Sequence, residues 1–347
     1  MQADVSARPG KGFFPDGEDG KRTGAAESGG PGSGRPGGIT GTPARRKKEG
    51  EISMKERVFQ GVGTALITPF RDEGVDFSAF ERLIDFQLEN GVDALVVAGT
   101  TGEGAVLSDG EFRDLLACAV AKAAGRVPVI AGTGSNDTGK AIAKTKVACG
   151  LGADAVLLVT PFYNKTTQRG LIAHFRAIAE ESEKPCILYN VPSRTGLNML
   201  PETLAALCAH PRIAAVKEAC GNLSQVGRIR ALCGDELTVY SGCDDQTVPI
   251  LSLGGQGVIS VASNVIPRQM SEMCDRWFAG DAAGAGRMQV RLQALMDQLM
   301  LETNPIPVKA ATAFLGFGEN RLRLPLVPAE KSTEEKLLRL LKEAREN

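Results

Sequence analysis

Eight short, almost uninterrupted runs of aliphatic and β-branched residues recur every twenty to forty residues along this chain, and they constrain its fold more than any other feature. They are Gly63 to Thr68, Ala94 to Ala98, Val127 to Ala131, Ala155 to Thr160, Cys186 to Asn190, Ile213 to Lys217, Leu237 to Ser241 and Val258 to Val261. A strand with one wet face alternates polar and apolar residues; a run without alternation suits a parallel strand buried on both faces. Helical patterns lie between the runs. Phe77, Phe80, Leu83, Ile84 and Leu88 share one face at 3.6 spacing, with Asp76 as N-cap and Gly91 past the end. Ser108-Asp109-Gly110-Glu111 is a capping box opening a helix that stops near Gly125. Eight strand-then-helix units predict a (β/α)8 TIM barrel over residues 56–265, with an open doubly wound sheet as the rival. After Val261 the strand patterns stop, and Pro267 to about Glu346 reads as helices. That is more than a last barrel helix requires, so 266–347 is assigned to that helix and a C-terminal helical subdomain.

The N-terminus has a different composition. Residues 1–50 hold 13 of the 41 glycines and five of the 18 prolines, with almost no aliphatic side chains. Such a segment buries too little apolar surface to offset its ordering entropy, so 1–55 is expected to be a disordered extension. It lacks the apolar core of a secretory signal, and its Arg45-Arg46-Lys47-Lys48 run reads as a solvated linker rather than an address tag. Met54, just before the first strand pattern, is a candidate native start.

Composition excludes several function classes. The net charge of −1 offers nucleic acid no electrostatic footprint. No window approaches the ~20 apolar residues of a membrane span. Eight cysteines without a Cys-x-x-Cys pair, and only two histidines, fit neither a zinc site nor a disulfide scaffold. The cysteines read as small core residues of a cytoplasmic protein.

In a parallel barrel, chemistry gathers at the C-terminal ends of the strands. Lys217 ends the run Ile213-Ala-Ala-Val216. Paired with Glu218 it would be an ordinary rim lysine. Desolvated in an apolar barrel mouth, its pKa would fall from ~10.4 towards ~7–8, at about 4 kcal/mol, leaving a neutral amine able to form a Schiff base with a carbonyl. Tyr163 and Tyr189, two of three tyrosines, stand at or just after strand ends; either can be a packing residue or a proton-transfer phenol. The loop Gly99-Thr100-Thr101-Gly102-Glu103 exposes N–H groups and hydroxyls that could hold a carboxylate. Arg194, on a proline-stiffened loop, could grip a second carboxylate or simply face solvent. Gly134-Ser-Asn-Asp-Thr-Gly-Lys140 has the look of a phosphate loop, but Ala141 stands where Ser or Thr would ligate Mg²⁺ and no second phosphate feature supports it.

Six ordered motifs then make a specific match. Gly99-Thr-Thr-Gly-Glu103, Thr160-Pro-Phe-Tyr-Asn164, Leu188-Tyr-Asn-Val-Pro-Ser-Arg-Thr-Gly196, Val216-Lys-Glu-Ala219, Gly257-Val-Ile-Ser-Val261 and Asn304-Pro-Ile-Pro-Val-Lys309 closely resemble the dihydrodipicolinate synthase family of pyruvate-dependent lysine-Schiff-base aldolases, from about Gly61 to the C-terminus. The resemblance implies that Lys217 condenses with pyruvate, and that Tyr189 is the adjacent acid/base in a hydroxyl relay with Thr100 and Tyr163. In the family that second tyrosine crosses from a neighbouring subunit, implying a homo-oligomer, usually a tetramer of paired dimers. Thr101 and the Ile259 backbone would hold pyruvate, and Arg194 would bind the carboxylate of L-aspartate-4-semialdehyde. No metal or organic cofactor is implied.

Two alternatives are weighed. N-acetylneuraminate lyase, or another 2-keto-3-deoxy acid aldolase of the family, shares the lysine and tyrosine; those lyases typically read Gly-Ser-Thr-Gly-Glu and lack the Pro-Ser-Arg-Thr-Gly loop, so Thr100 and Arg194 favour the synthase. A non-catalytic regulatory barrel is the other, and the presence of Lys217, both tyrosines and Arg194 argues against it. Cys243 stands where many members carry an acid, which puts the geometry of its loop in question. The family's lysine-inhibited pattern is also altered. Gly104-Ala105 replaces Ser-Ala, Asp109 and Phe112 replace two histidines, and Phe162 replaces a tyrosine. Asn136 is retained, but Lys140 stands where a glutamate would hold the effector's ammonium. Weak or absent inhibition by L-lysine is therefore expected.

Overall fold

A computed structural model describes Lys55 and residues 57–346. The expectations for the N-terminal extension, its basic run and Met54 lie outside the described residues. Eight parallel strands close into a barrel: β1 Gly61–Ala65, β2 Ala94–Val97, β3 Val129–Gly132, β4 Ala155–Val159, β5 Cys186–Asn190, β6 Ile213–Glu218, β7 Thr238–Ser241 and β8 Gly257–Ser260. The rival open sheet fails at β1, which pairs with β2 on one side and with β8 on the other. At that seam Gly257 lies opposite Gly61, and a Cβ on Gly257 would come within 2.0 Å of the Gly61 carbonyl oxygen. Only glycine permits that approach.

All eight apolar runs form strands; Cys186–Asn190 keeps both its ends and the other seven shift at one or both. β1 stops at Ala65 rather than Thr68 because Ile67 N–H leaves the ladder and donates to Asn264 Oδ1 at 3.1 Å. β3 begins at Val129, not Val127, since Pro128 has no N–H to give a neighbour. A hairpin of two-residue strands, Phe70–Arg71 with Gly74–Val75, is too short to carry a period legible in the sequence.

Each strand is followed by a helix: α1 Phe77–Glu89, α2 Asp109–Ala123, α3 Thr138–Gly150, α4 Gln168–Glu180, α5 Pro201–Cys208, α6 Leu223–Cys233, α7 Thr247–Ser252 and α8 Pro267–Phe278. Asp76 caps α1 by accepting from Ala79 N–H at 3.0 Å. Ser108 and Glu111 form the capping box of α2. Asp137 caps α3 with its own carboxylate, accepting from Lys140 N–H at 3.0 Å. The phosphate-loop look-alike thus offers a phosphate an occupied, acidic helix start. Beyond α8, which packs on β1, come α9 Ala282–Leu299, α10 Ile306–Phe314 and α11 Lys331–Glu346, the C-terminal helical region.

The core has two layers, as period-2 strands require. One lies between strands and helices. The other fills the barrel, where small Ala94, Ala155 and Ala215 sit with Ile130, Ile187 and Ile259. The third tyrosine, Tyr240, stacks on Phe59 at 4.2 Å, and its hydroxyl donates to the Phe59 carbonyl at 2.7 Å. Among the described residues no helix is long and apolar enough to cross a membrane.

Candidate active site

The inside of the barrel changes character at the ends of β5 and β6. Tyr189 and Lys217 lie directly opposite in register, and both side chains turn inward. The Lys217 ammonium sits 4.4 Å from the centre of the Tyr189 ring. Glu218, one residue on, faces the other side of the sheet. Its carboxylate accepts from Asn190 Nδ2 at 3.0 Å, Cys220 N–H at 2.8 Å and Gln225 Nε2 at 3.3 Å. The lysine is therefore not the partner of its neighbouring acid.

Burial controls both ionisable groups. Lys217 is 5% exposed, and desolvation lowers its pKa to about 8, against a smaller upward pull from Asp244. Tyr189 is 6% exposed, and burial pushes its phenol up to about 12, with opposing help from Arg194 and a hydrogen bond with Thr100. The pair is thus an amine with an appreciable neutral fraction near pH 7 beside a phenol that keeps its proton.

The 99–103 loop is shaped by main-chain crowding. Gly104 closes it, where a Cβ would fall 2.1 Å from the Ala98 carbonyl oxygen. Glu103 is buried in an ion pair with Lys309 at 2.7 Å and accepts Arg323 N–H at 3.0 Å. Lys309 also donates to the Thr68 carbonyl at 2.8 Å. Arg323 grips Glu111 with two guanidinium nitrogens, and that contact lowers the Glu111 carboxyl to about 2. The loop bearing Thr100 and Thr101 is thereby bolted to the C-terminal region. Arg194, in a single helical turn at Pro192–Thr195, donates to the Asn304 carbonyl at 2.8 Å, and Asn304 Nδ2 donates to Thr101 at 3.0 Å.

The structure therefore brings Lys217, Tyr189, Thr100, Thr101 and Arg194 into one network at the barrel mouth, with Ile259 in the interior cluster that contains Tyr189. Tyr163 is the exception within a single chain. It is 94% exposed, at φ 65° on the loop after β4, and does not line the cavity. Asp244, Asn304 and the Glu103–Lys309 pair had no role in the sequence reading, although each lay in or beside a motif. Asp244 is buried below the mouth, accepting from Val261 and Ala262 N–H at 3.0 and 2.9 Å, and burial raises its pKa. Cys243 leaves its loop intact, because Ser241 Oγ both donates to its carbonyl at 2.7 Å and accepts its N–H at 3.2 Å. Burial pushes its thiol up to about 12, so it brings no negative charge near Lys217.

The mouth opens into a cavity of about 940 Å³ lined by Thr100, Tyr189, Arg194 and Asn304 and extending to Asp109, Phe112, Lys140 and Lys144. In that arm Phe112 is buried beneath the Lys144 ammonium, 4.3 Å from its ring centre. Among the described residues no group of three His, Cys, Asp or Glu could hold a metal ion.

A parallel barrel with a desolvated lysine against a protonated tyrosine at its C-terminal mouth is the architecture of an enzyme built around amine chemistry on carbonyls. Comparison with known proteins narrows the class. Residues 58–344 match the Dihydrodipicolinate synthetase family, and the chain belongs to it. The 4-hydroxy-tetrahydrodipicolinate synthase of Alkaliphilus oremlandii is 50% identical over 281 residues, 81% of this chain and 97% of that protein. A dihydrodipicolinate synthase structure from Thermotoga maritima superposes with a TM-score of 0.82 at 46% identity, covering 83% of this chain and 99% of the other. The chloride-inhibited dihydrodipicolinate synthase of Acinetobacter baumannii, solved in complex with pyruvate, gives 0.81 at 41% identity, covering 82% and 99%.

Proposed function

We propose that this protein is a 4-hydroxy-tetrahydrodipicolinate synthase, a lyase that condenses pyruvate with L-aspartate-4-semialdehyde in diaminopimelate and lysine biosynthesis. The observation that carries the reading is the Lys217 amine, buried at the barrel mouth with its pKa lowered to about 8 and set over Tyr189. Its neutral form attacks C2 of pyruvate, and loss of water leaves a Schiff base. The C3 methyl then gives up a proton, and the enamine forms a carbon–carbon bond with the aldehyde carbon of the semialdehyde. The substrate's own amine finally adds to C2, closing the ring and releasing Lys217. Tyr189, protonated up to about pH 12, supplies and recovers protons through Thr100. Thr101 and the Ile259 backbone hold the pyruvate carboxylate, and Arg194 binds that of the semialdehyde. The protonated Schiff base on C2 takes up the electron pair left when C3 loses its proton, so no metal or organic cofactor enters these steps.

Two further assignments belong to this reading. Tyr163 completes the relay of a second copy of the chain, in a homo-oligomer taken to be a tetramer of paired dimers; its 94% exposure and the adjacent exposed Phe162 support that role. The eight free cysteines, four of them buried, support a cytoplasmic location. Neither the sialic-acid lyase nor the non-catalytic barrel is favoured, given the family relatives and the placement of Thr100 and Arg194.

Borohydride reduction in the presence of pyruvate tests the core of the proposal. It should leave a stable three-carbon adduct on Lys217, absent in Lys217→Arg, whose guanidinium stays protonated. An adduct on a different lysine would overturn the assignment.

A further inference from the structure

Asn304 is buried in the turn between α9 and α10, where two distant pieces of chain meet on it. Its side-chain Nδ2 donates to Thr101 Oγ1 at 3.0 Å, and its carbonyl accepts Arg194 Nη2 at 2.8 Å. A threonine hydroxyl has one proton and two acceptor positions. With an N–H arriving from Asn304, Thr101 keeps its proton, and no acceptor among the described residues takes it. Turned over, the same amide would present Oδ1 to Thr101 and bind that proton. Instead Oδ1 is buried with no protein partner among the described residues. With Nδ2 as the donor, the amide leaves the Thr101 proton free for another acceptor.

A carboxylate can only accept, so a hydroxyl whose proton is committed elsewhere would face it with lone pairs. We propose that Asn304 is a positioning residue: it presets the Thr101 hydroxyl as a donor to the pyruvate carboxylate, while its carbonyl holds Arg194 in place for the carboxylate of the second substrate. This rests on the roles given above to Thr101 and Arg194 and adds the residue that joins them.

The test is a mutant cycle read on pyruvate KM, kcat and borohydride trapping with pyruvate alone. Asn304→Ala should raise pyruvate KM about tenfold, the scale of a hydrogen bond to a charged group. Asn304→Asp has nearly the same shape but only acceptors; it claims the Thr101 proton and should raise KM roughly tenfold further. In both, kcat at saturating pyruvate should stay within about threefold of wild type, a split that a collapsed site would not produce. In a Thr101→Val background, Asn304→Ala should add less than about twofold. Asn304→Ser, small and polar, serves in the same cycle if the Ala variant fails to fold. An equal rise in both backgrounds, an Asp variant no worse than Ala, or a fall in kcat at unchanged KM would overturn the inference. Failure of wild-type enzyme to trap pyruvate on Lys217 would instead refute the proposed function.

Discussion

Replacing Lys217 with methionine should abolish turnover and yet stabilise the protein at neutral pH, by an amount that shrinks as pH rises. Burial lowers the lysine from 10.5 to about 8. At about 1.36 kcal/mol per unit, the ammonium is about 3 kcal/mol less stable in the folded barrel than in the unfolded chain. Below about pH 8 both states carry the proton and the whole penalty stands. Between about pH 8 and 10.5 the folded state releases it while the unfolded state keeps it, so the unfolded chain binds more protons and wild-type stability rises with pH. Methionine has a similar length and does not titrate. Its advantage should therefore be greatest near pH 7 and smaller by about 2 kcal/mol at pH 9.5. Urea unfolding of both proteins at several pH values, at matched protein concentration, measures the difference. A methionine advantage that does not decline with pH, or a wild type already more stable at pH 7, would refute the claim that the lysine is held desolvated.

Three other outcomes are expected. Arg194→Ala should lower kcat/KM for aspartate semialdehyde by roughly 10- to 150-fold, the loss of one charge-assisted contact, while borohydride trapping with pyruvate alone is unchanged; equal losses would make Arg194 structural. Glu103→Gln strands the Lys309 ammonium, now paired at 2.7 Å with both side chains 1% exposed, and should destabilise the protein by about 3–5 kcal/mol in denaturant titration. A titration of steady-state rate with L-lysine should show no half-inhibition below about 1 mM, since Lys140 and Lys144 line the cavity arm and repel an ammonium there.

Much of the fold was legible because its signals are local. An apolar run needs only its own residues to mark a buried strand, and Asp76 and Ser108 cap helices through contacts three residues away. The ends were less legible: β1 loses its last residues to Asn264, almost two hundred positions downstream. Lys217 could be singled out as a charged residue ending an apolar run, but that run was equally compatible with a surface pair to Glu218. Strand alternation separated the two, turning Lys217 onto Tyr189 and Glu218 onto Asn190. Tyr163 and Tyr189 were equivalent as letters near strand ends, and only the packing divides them into an exposed residue and a buried one. The sequence by itself determined the strand-and-helix order, the caps and the inventory of reactive groups, because propensity, periodicity and capping act over a few neighbouring residues. Tertiary structure alone decided the closure of β1 on β8, the pKa values of the lysine and tyrosine, and the meeting of Thr101, Arg194 and Asn304. Closure, desolvation and long-range hydrogen bonds depend on what surrounds an atom in space, and the surroundings of Thr101 include a residue 203 positions away.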